Sequence, residues 1–262
     1  MNKMQQLLIL APITFLIAQN TYSDTVFGIY AGAGTWSAEP DGSMGAAELF
    51  EPITAQELAL DEENNTYFFV ALEHPVPILP NIRVMNTELT TTGAAEIERE
   101  FELDDVTFTA GDTQSDMDLS HTDVTLYYEI LDNWISVDVG LTGRMMDGSA
   151  QVQGTIIDEF GNEGDGEESV ELDGTIPMLY TRAQFELPFS GWYMGAALNY
   201  ISSSGDKLSD LDLMIGYVFE NMVLDVGFEV GYRQFKVNVE DDDDLTANMN
   251  FDGLHAAIMF HF

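Results

Sequence analysis

Apolar side chains recur at every second position through long stretches of this chain. In "WISVDVGLTG", Ile135, Val137, Val139 and Leu141 share one face, with Ser136, Asp138, Gly140 and Thr142 on the other. "KLSDLDLMIGYVF" sets Leu211, Leu213, Ile215, Tyr217 and Phe219 against Asp210, Asp212, Met214 and Gly216. "NMVLDVGFEVGYR" sets Leu224, Val226, Phe228, Val230 and Tyr232 against Asp225, Gly227, Glu229 and Arg233. "GLHAAIMFHF" sets Leu254, Ala256, Ile258, Phe260 and Phe262 against His255, Ala257, Met259 and His261. Period two is the signature of strands with one apolar and one polar or small face.

The pattern predicts ten strands, over 25–37, 65–74, 81–92, 115–130, 134–146, 175–187, 191–202, 207–219, 222–237 and 247–262. Their length approaches the ~9–11 residues that cross a bilayer at a tilt. Short turns ("LDN" at 131–133, "LPFSG" at 187–191, "EN" at 220–221, and the longer "HPVPILPN" at 74–81) alternate with long connections at 38–64, 93–115 and 147–174. Phe189, Trp192, Phe219 and Phe262 gather near the short turns, with Trp134 beside another, as in an interfacial girdle. The expected fold is therefore all-β: an antiparallel up-and-down transmembrane β-barrel of about ten strands, with eight to twelve allowed. Residues 97–109 and 150–158 also read as extended, and are expected to stand above the membrane.

Charge sharpens this picture. Forty-six acidic residues face eight basic ones, a formal net charge of −38. Such a surface repels nucleic acid, so no nucleic-acid partner is expected. The absence of cysteine excludes disulfides and thiolate chemistry. Residues 1–23 carry Lys3, an apolar run from Leu7 to Ala18 and the small residues of "TYS", the layout of a signal peptide; 24–262 would then be the barrel, with long acidic extracellular loops. The final "GLHAAIMFHF" marks Gly253, Ile258, Phe260 and Phe262 as an insertion signal read by the barrel-assembly machinery. Outer-membrane lipid and lipopolysaccharide are the other expected partners, and the bacterial outer membrane the expected location.

Five stretches, "FVALEHPVPILPNIRV" (69–84), "YYEILDNWISVDVG" (127–140), "GTIPMLY" (174–180), "LDVGFEVGYR" (224–233) and the Phe terminus, together resemble a family of small outer-membrane β-barrel proteins of marine Gram-negative bacteria. That resemblance implies a barrel and carries no activity.

If the apolar rows face lipid, charged residues of the other parity point into the lumen. Arg144, Arg182 and Arg233 share parity with Asp138, Glu186, and Asp225 or Glu229 on their own strands. They are candidates for an ion-pair network filling a narrow barrel, or for a charged constriction in a pore. The acidic runs "DEFGNEGDGEESVE" (158–171) and "EDDDD" (240–244) lack the ligand spacing of an EF-hand and read as a solvated surface. His255 and His261 are about 20 Å apart along one strand and cannot share a metal without a third element. Ser120 and His121 point to opposite faces, so they form no nucleophile–base pair. No cofactor, metal site or catalytic residue is expected. The expected role is non-enzymatic, structural or in surface interaction, with a largely filled lumen; a narrow cation-preferring channel is the alternative, and a barrel-borne hydrolase is a third, weaker one.

Overall fold

The computed structural model describes residues 27–262, apart from 46–50, 77, 105, 159, 204, 222 and 241–245. Both the signal-peptide segment and most of "EDDDD" lie outside the described residues. The strands are β1 (Gly28–Gly45), β2 (Ile53–Thr54), β3 (Glu63–Glu73), β4 (Asn81–Thr87), β5 (Thr90–Ile97), β6 (Phe101–Leu103), β7 (Val106–Phe108), β8 (Gly111–Asp118), β9 (His121–Asp132), β10 (Ile135–Ile157), β11 (Glu163–Glu186), β12 (Trp192–Ser203), β13 (Asp206–Phe219), β14 (Asp225–Glu240) and β15 (Thr246–His261).

Ten of these close a ring in the order β1-β3-β4-β9-β10-β11-β12-β13-β14-β15, and β15 returns to β1 through the register Tyr30↔His261 to Gly45↔Thr246. Every neighbouring pair is antiparallel. The ten-strand expectation holds. β2 and the hairpins of β5 to β8 lie off the ring: β5 pairs with β8, which pairs with the upper part of β10, and β6 pairs with β7.

The faces also stand as the alternation predicts. Leu141, Leu213, Ile215, Phe228, Val230, Leu254, Ile258 and Phe260 are exposed on the outside, while Asp138, Arg144, Asp210, Glu229, Arg233 and His255 are buried inside. The girdle residues Trp134, Phe189, Trp192, Phe219 and Phe262 are exposed at the lower rim. On β10 the outward apolar row runs from Ile135 to Met145, about 33 Å along the strand. Tilted by about 40°, it spans about 25 Å, the height of an outer-membrane apolar band. An apolar belt around a closed, polar-lined barrel is stable only in lipid, which places this barrel in the outer membrane.

Above the belt the pattern inverts while the parity stays fixed. On β10, Ala150 and Val152 are buried inside and Gln153 is exposed outside. On β14, Phe235 is buried inside and Lys236 is exposed outside. Water has replaced lipid on the outer face, and an apolar core has replaced the polar lumen. The stretches expected as loops at 93–115 and 147–174 are therefore largely paired strands, and 38–64 holds the end of β1, all of β2 and the start of β3. β10 runs twelve residues beyond Met145, and β11 matches it from Ile157↔Glu163 downward. The acids of 158–171 had masked that inner row of half-buried Val170 and Leu172. Two expected strands are also divided: 81–92 at Glu88–Leu89 and 115–130 at Leu119–Ser120, where the chain leaves the ring for the hairpins above.

The part above the belt has a core of its own. Phe101 and Phe108 stack at 4.9 Å between ring centroids, among buried Ile53, Leu58, Leu89, Ile97 and Val152. Its rim is tied by Arg99, whose Nε and Nη2 donate to Glu57 at 2.7 and 3.0 Å and whose Nη1 and Nη2 donate to the carbonyls of Glu51 and Pro52. Glu57 also accepts from the Thr54 amide, and Thr54 Oγ1 accepts from the Glu57 amide, a reciprocal cap. One edge stays open: residues 163–178 of β11 pair with β10 alone, because β12 joins only from Leu179 to Glu186.

Two predictions follow from this architecture. Leu213→Arg or Val226→Arg, on the lipid face, should cost about 2–4 kcal/mol if at mid-membrane depth, read by urea unfolding of the barrel refolded into vesicles, whereas Gln153→Arg on the wetted face should cost less than about 0.5 kcal/mol. The Arg99 hydrogen bond lowers the Glu57 carboxyl from 4.5 to about 2. A depressed folded value means that the tie is whole above about pH 4.5 and is lost as pH falls toward 2. Amide exchange at Ala55–Leu60 should accelerate across that window in the native chain; in Arg99→Gln the acceleration should be present already at neutral pH.

Candidate functional site

The lumen holds three polar layers. The uppermost lies where the apolar pattern inverts. Arg144 on β10 is 0% exposed. Its Nε and Nη2 donate to the two carboxylate oxygens of Asp123 on β9 at 2.8 and 2.7 Å. Its Nη2 also reaches Asp210 on β13 at 2.6 Å. Arg233 on β14 grips Asp210 with Nε and Nη2 at 2.9 and 2.7 Å, and its Nη1 donates to Thr87 on β4. Strands β9 and β10 lie nearly opposite β13 and β14 around the ring, so this clamp spans the lumen. Two acids and two guanidiniums cancel; the Arg144–Asp123 and Arg233–Asp210 forks are bidentate, the geometry that offsets the desolvation of buried charge, and a single bond from Arg144 to Asp210 joins them. Aromatic rings seal it: Arg233 lies over Trp36 at 4.8 Å, Arg144 over Phe235 at 5.1 Å, and His121 stacks on Phe235 at 5.6 Å.

The middle layer centres on His255. Its Nε2 meets Asp212 Oδ1 at 2.7 Å and its Nδ1 meets Tyr67 Oη at 2.9 Å. Tyr193 Oη donates to Glu229 at 2.8 Å. The rings reach these positions by lying across inward-facing glycines. A β-carbon on Gly231 would sit 2.2 Å from His255 Nε2, and one on Gly34 would sit 2.6 Å from the Tyr67 ring. Tyr193 lies over Gly216 in the same way. The small residues on the inner faces are thus seats for the rings of neighbouring strands.

The lower layer opens at the rim formed by the short turns. Tyr127 donates to Glu73 at 2.7 Å, Tyr30 stacks on His261 at 4.1 Å, and His261 meets Asp225 at 3.5 Å. Glu129 and Asp132 are exposed at the mouth, and Asp138 is buried above them. A register shift on β9 beside Val137/Asp138 turns both Glu129 and Asp132 inward.

The sequence-derived candidates divide among these layers. Arg144 and Arg233 form the clamp, but their ion-pair partners are Asp123 and Asp210, not the acids of their own strands. Asp138 is six residues from Arg144, about 20 Å along the strand, and Glu229 is four from Arg233, about 13 Å, so contact is out of reach. Arg182 donates to Gln184, which donates in turn to exposed Glu186 at the rim. Asp225 belongs to the mouth with His261, and Glu229 to the middle layer. Among the insertion-signal residues, Ile258, Phe260 and Phe262 face outward, and Gly253 lies at the seam with β1, against the Ser37 carbonyl. Sequence reasoning missed Asp123, Tyr67 and Tyr193; the inward parity of "HTDVTLY" (121–127) carries the signal for the first.

No protein-family model matches the chain, and no curated protein matches it in sequence. Among solved structures it is similar to the outer membrane protease OmpT from Escherichia coli, at 10% identity over 93% of this chain and 99% of that one, with a TM-score of 0.48. It is also similar to the P. putida toluene transporter TodX, at 8% identity over 91% and 90% with a TM-score of 0.31. A third is the monoaromatic hydrocarbon channel CymD, at 9% identity over 90% and 87% with a TM-score of 0.32.

Asp210 joins both halves of the clamp. Asp210→Ala should cost about 3–5 kcal/mol in unfolding free energy, because it strands the buried Arg233 guanidinium and leaves Arg144 with Asp123 alone. Glu186→Ala, at the exposed rim, should change it by less than about 0.5 kcal/mol.

Proposed function

We propose that this protein is a non-conducting, non-enzymatic outer-membrane barrel whose working surface is the rigid acidic β-structure above the bilayer. The observation that carries the reading is the Arg144–Asp123–Asp210–Arg233 clamp. It crosses the lumen at the level where the polar interior gives way to the apolar extracellular core. A solvated ion moving through the barrel would have to part ion-paired buried charges and then enter packed Trp36, Phe235 and Phe251, all buried. Ten strands make a barrel close to the size that side chains fill.

The outward face above the bilayer suits interaction. On β11, Glu163, Asp165, Glu167, Glu171 and Asp173 project into water at alternate positions, and Asp112 and Asp116 do so on β8. Strand pairing fixes these acids in place, unlike charges on a free loop. Outer-membrane lipid and the phosphates of lipopolysaccharide, bridged by divalent cations, are its immediate partners. The non-enzymatic reading is supported by the histidines. His121 is buried with Nδ1 on the Leu119 carbonyl, His255 is held between Tyr67 and Asp212, and His261 is stacked on Tyr30. Ser120 Oγ, beside His121, accepts from the Leu89 amide instead of pairing with the imidazole.

A planar bilayer tests this. The refolded chain, with insertion verified by protease protection, should show no steady current steps. The double variant Arg144→Ala/Arg233→Ala, if inserted, should show noisy openings as the clamp empties. Steady, cation-selective steps from the unaltered chain would overturn the proposal in favour of a channel.

A further inference from the structure

Below the clamp the lumen is acidic beyond what its own bases can balance. Asp212, Glu229, Asp138, Glu129, Asp132 and Glu73 face it, and the guanidiniums present there are Arg83 and Arg182. Among the described residues none of these six carboxylates makes an ion pair with either arginine. Asp138 is 6% exposed, and its Oδ1 has no hydrogen-bond partner. Buried carboxylates left in this state are costly unless a cation joins them.

At the head of this vestibule sit His255, Asp212 and Glu229. One ligand atom from each lies within 4.8 Å of the other two. A tetrahedral ion with bonds of about 2.1 Å spaces its ligand atoms about 3.4 Å apart, so the triad needs only side-chain adjustment to hold one. The surroundings have the form of outer-shell support. Tyr67 meets the far nitrogen of His255, and Tyr193 holds Glu229. Asp212 keeps 26% of its side chain open to solvent, while His255 keeps 1%. The rings are fixed over Gly231, Gly34 and Gly216, so the donors are positioned before any ion arrives. The other cluster of this kind, His121 with Asp123 and Asp210, is unsuited: both carboxylates there are already neutralised by Arg144 and Arg233.

We infer that His255, Asp212 and Glu229 form a divalent metal site at the head of an acid-lined vestibule open to the periplasm. One imidazole nitrogen with two carboxylates favours the borderline ion Zn²⁺, with the harder Mn²⁺ next in order, over Ca²⁺ or Mg²⁺, which take oxygen alone. In the bound form Nε2 faces the metal and Nδ1–H donates to Tyr67. The exposed acids at the mouth raise the local concentration of cations and steer them inward.

The test uses the full chain refolded in detergent micelles and stripped with chelator. Zn²⁺, Mn²⁺, Ca²⁺ and Mg²⁺ are titrated separately, with the thermal midpoint and bound metal per chain as readouts. The expected result is one Zn²⁺ or Mn²⁺ per chain, a rise in midpoint that Ca²⁺ and Mg²⁺ do not match at equal concentration, and at least a tenfold weaker midpoint response in His255→Gln. Should His255→Gln fail to fold, Glu229→Gln is measured in its place, and Co²⁺ bound to the native chain should give visible absorption bands of nitrogen–oxygen ligation. Equal stabilisation by all four cations, undiminished in either variant, would show diffuse charge screening and overturn the site. So would the absence of bound metal after gel filtration.

Discussion

Inside a bilayer no water satisfies the backbone, so each strand's amides and carbonyls must find partners within the protein. That single requirement dictates the closed ring, here completed where β15 returns to β1 and where β10 meets β11. Closure has a second effect. It converts the inner faces of ten strands into one narrow space, so any charge carried there is buried whatever its neighbours along the chain. The clamp, the glycine-seated rings and the acidic vestibule are all consequences of placing polar side chains inside a ring whose exterior must be apolar.

The strands reuse one parity for two environments. Below Met145 on β10, polar residues point in because lipid is outside. Above it, apolar residues point in because water is outside. The Arg–Asp clamp lies at this change of regime. It is the lid of the polar lumen and the floor of the apolar core above the belt, and it can serve both because its charges cancel and its guanidinium faces stack on Phe235 and Trp36. The arginines present flat apolar faces upward or sideways and hydrogen-bonding edges to the carboxylates, which a lysine could not do.

Much of this was legible in the sequence. The ten-strand ring, the lipid rows of Leu213, Val230 and Ile258, and the inward parity of Arg144 and Arg233 all follow from period two. What was not legible falls into two kinds. The hairpins above the membrane carry the same period with opposite chemistry, and a dense run of acids such as "DGEESVE" hides weak apolar positions like Val170 and Leu172. The clamp's pairings depend on which strands face one another across the ring, and parity along one strand is silent on that. Asp210 was visible as an inward residue, but its bond to Arg144 on β10 links strands 66 positions apart. Tyr67 and His255 are 188 positions apart and meet because β1, with Gly34, lies between their strands.

The open edge of β11 has a bearing on how these molecules crowd. Sixteen residues of β11, Glu163 to Met178, pair with β10 on one edge and leave the other open above the membrane, a template on which a second copy could add its own edge. The acids alternating along it, and Pro177 near its base, make such pairing self-repelling. That repulsion is only as long-ranged as the surrounding electrolyte permits: about 10 Å at 0.1 M salt and about 3 Å at 1 M. Two such edges on neighbouring barrels would thus repel each other at longer range in dilute media than in brine.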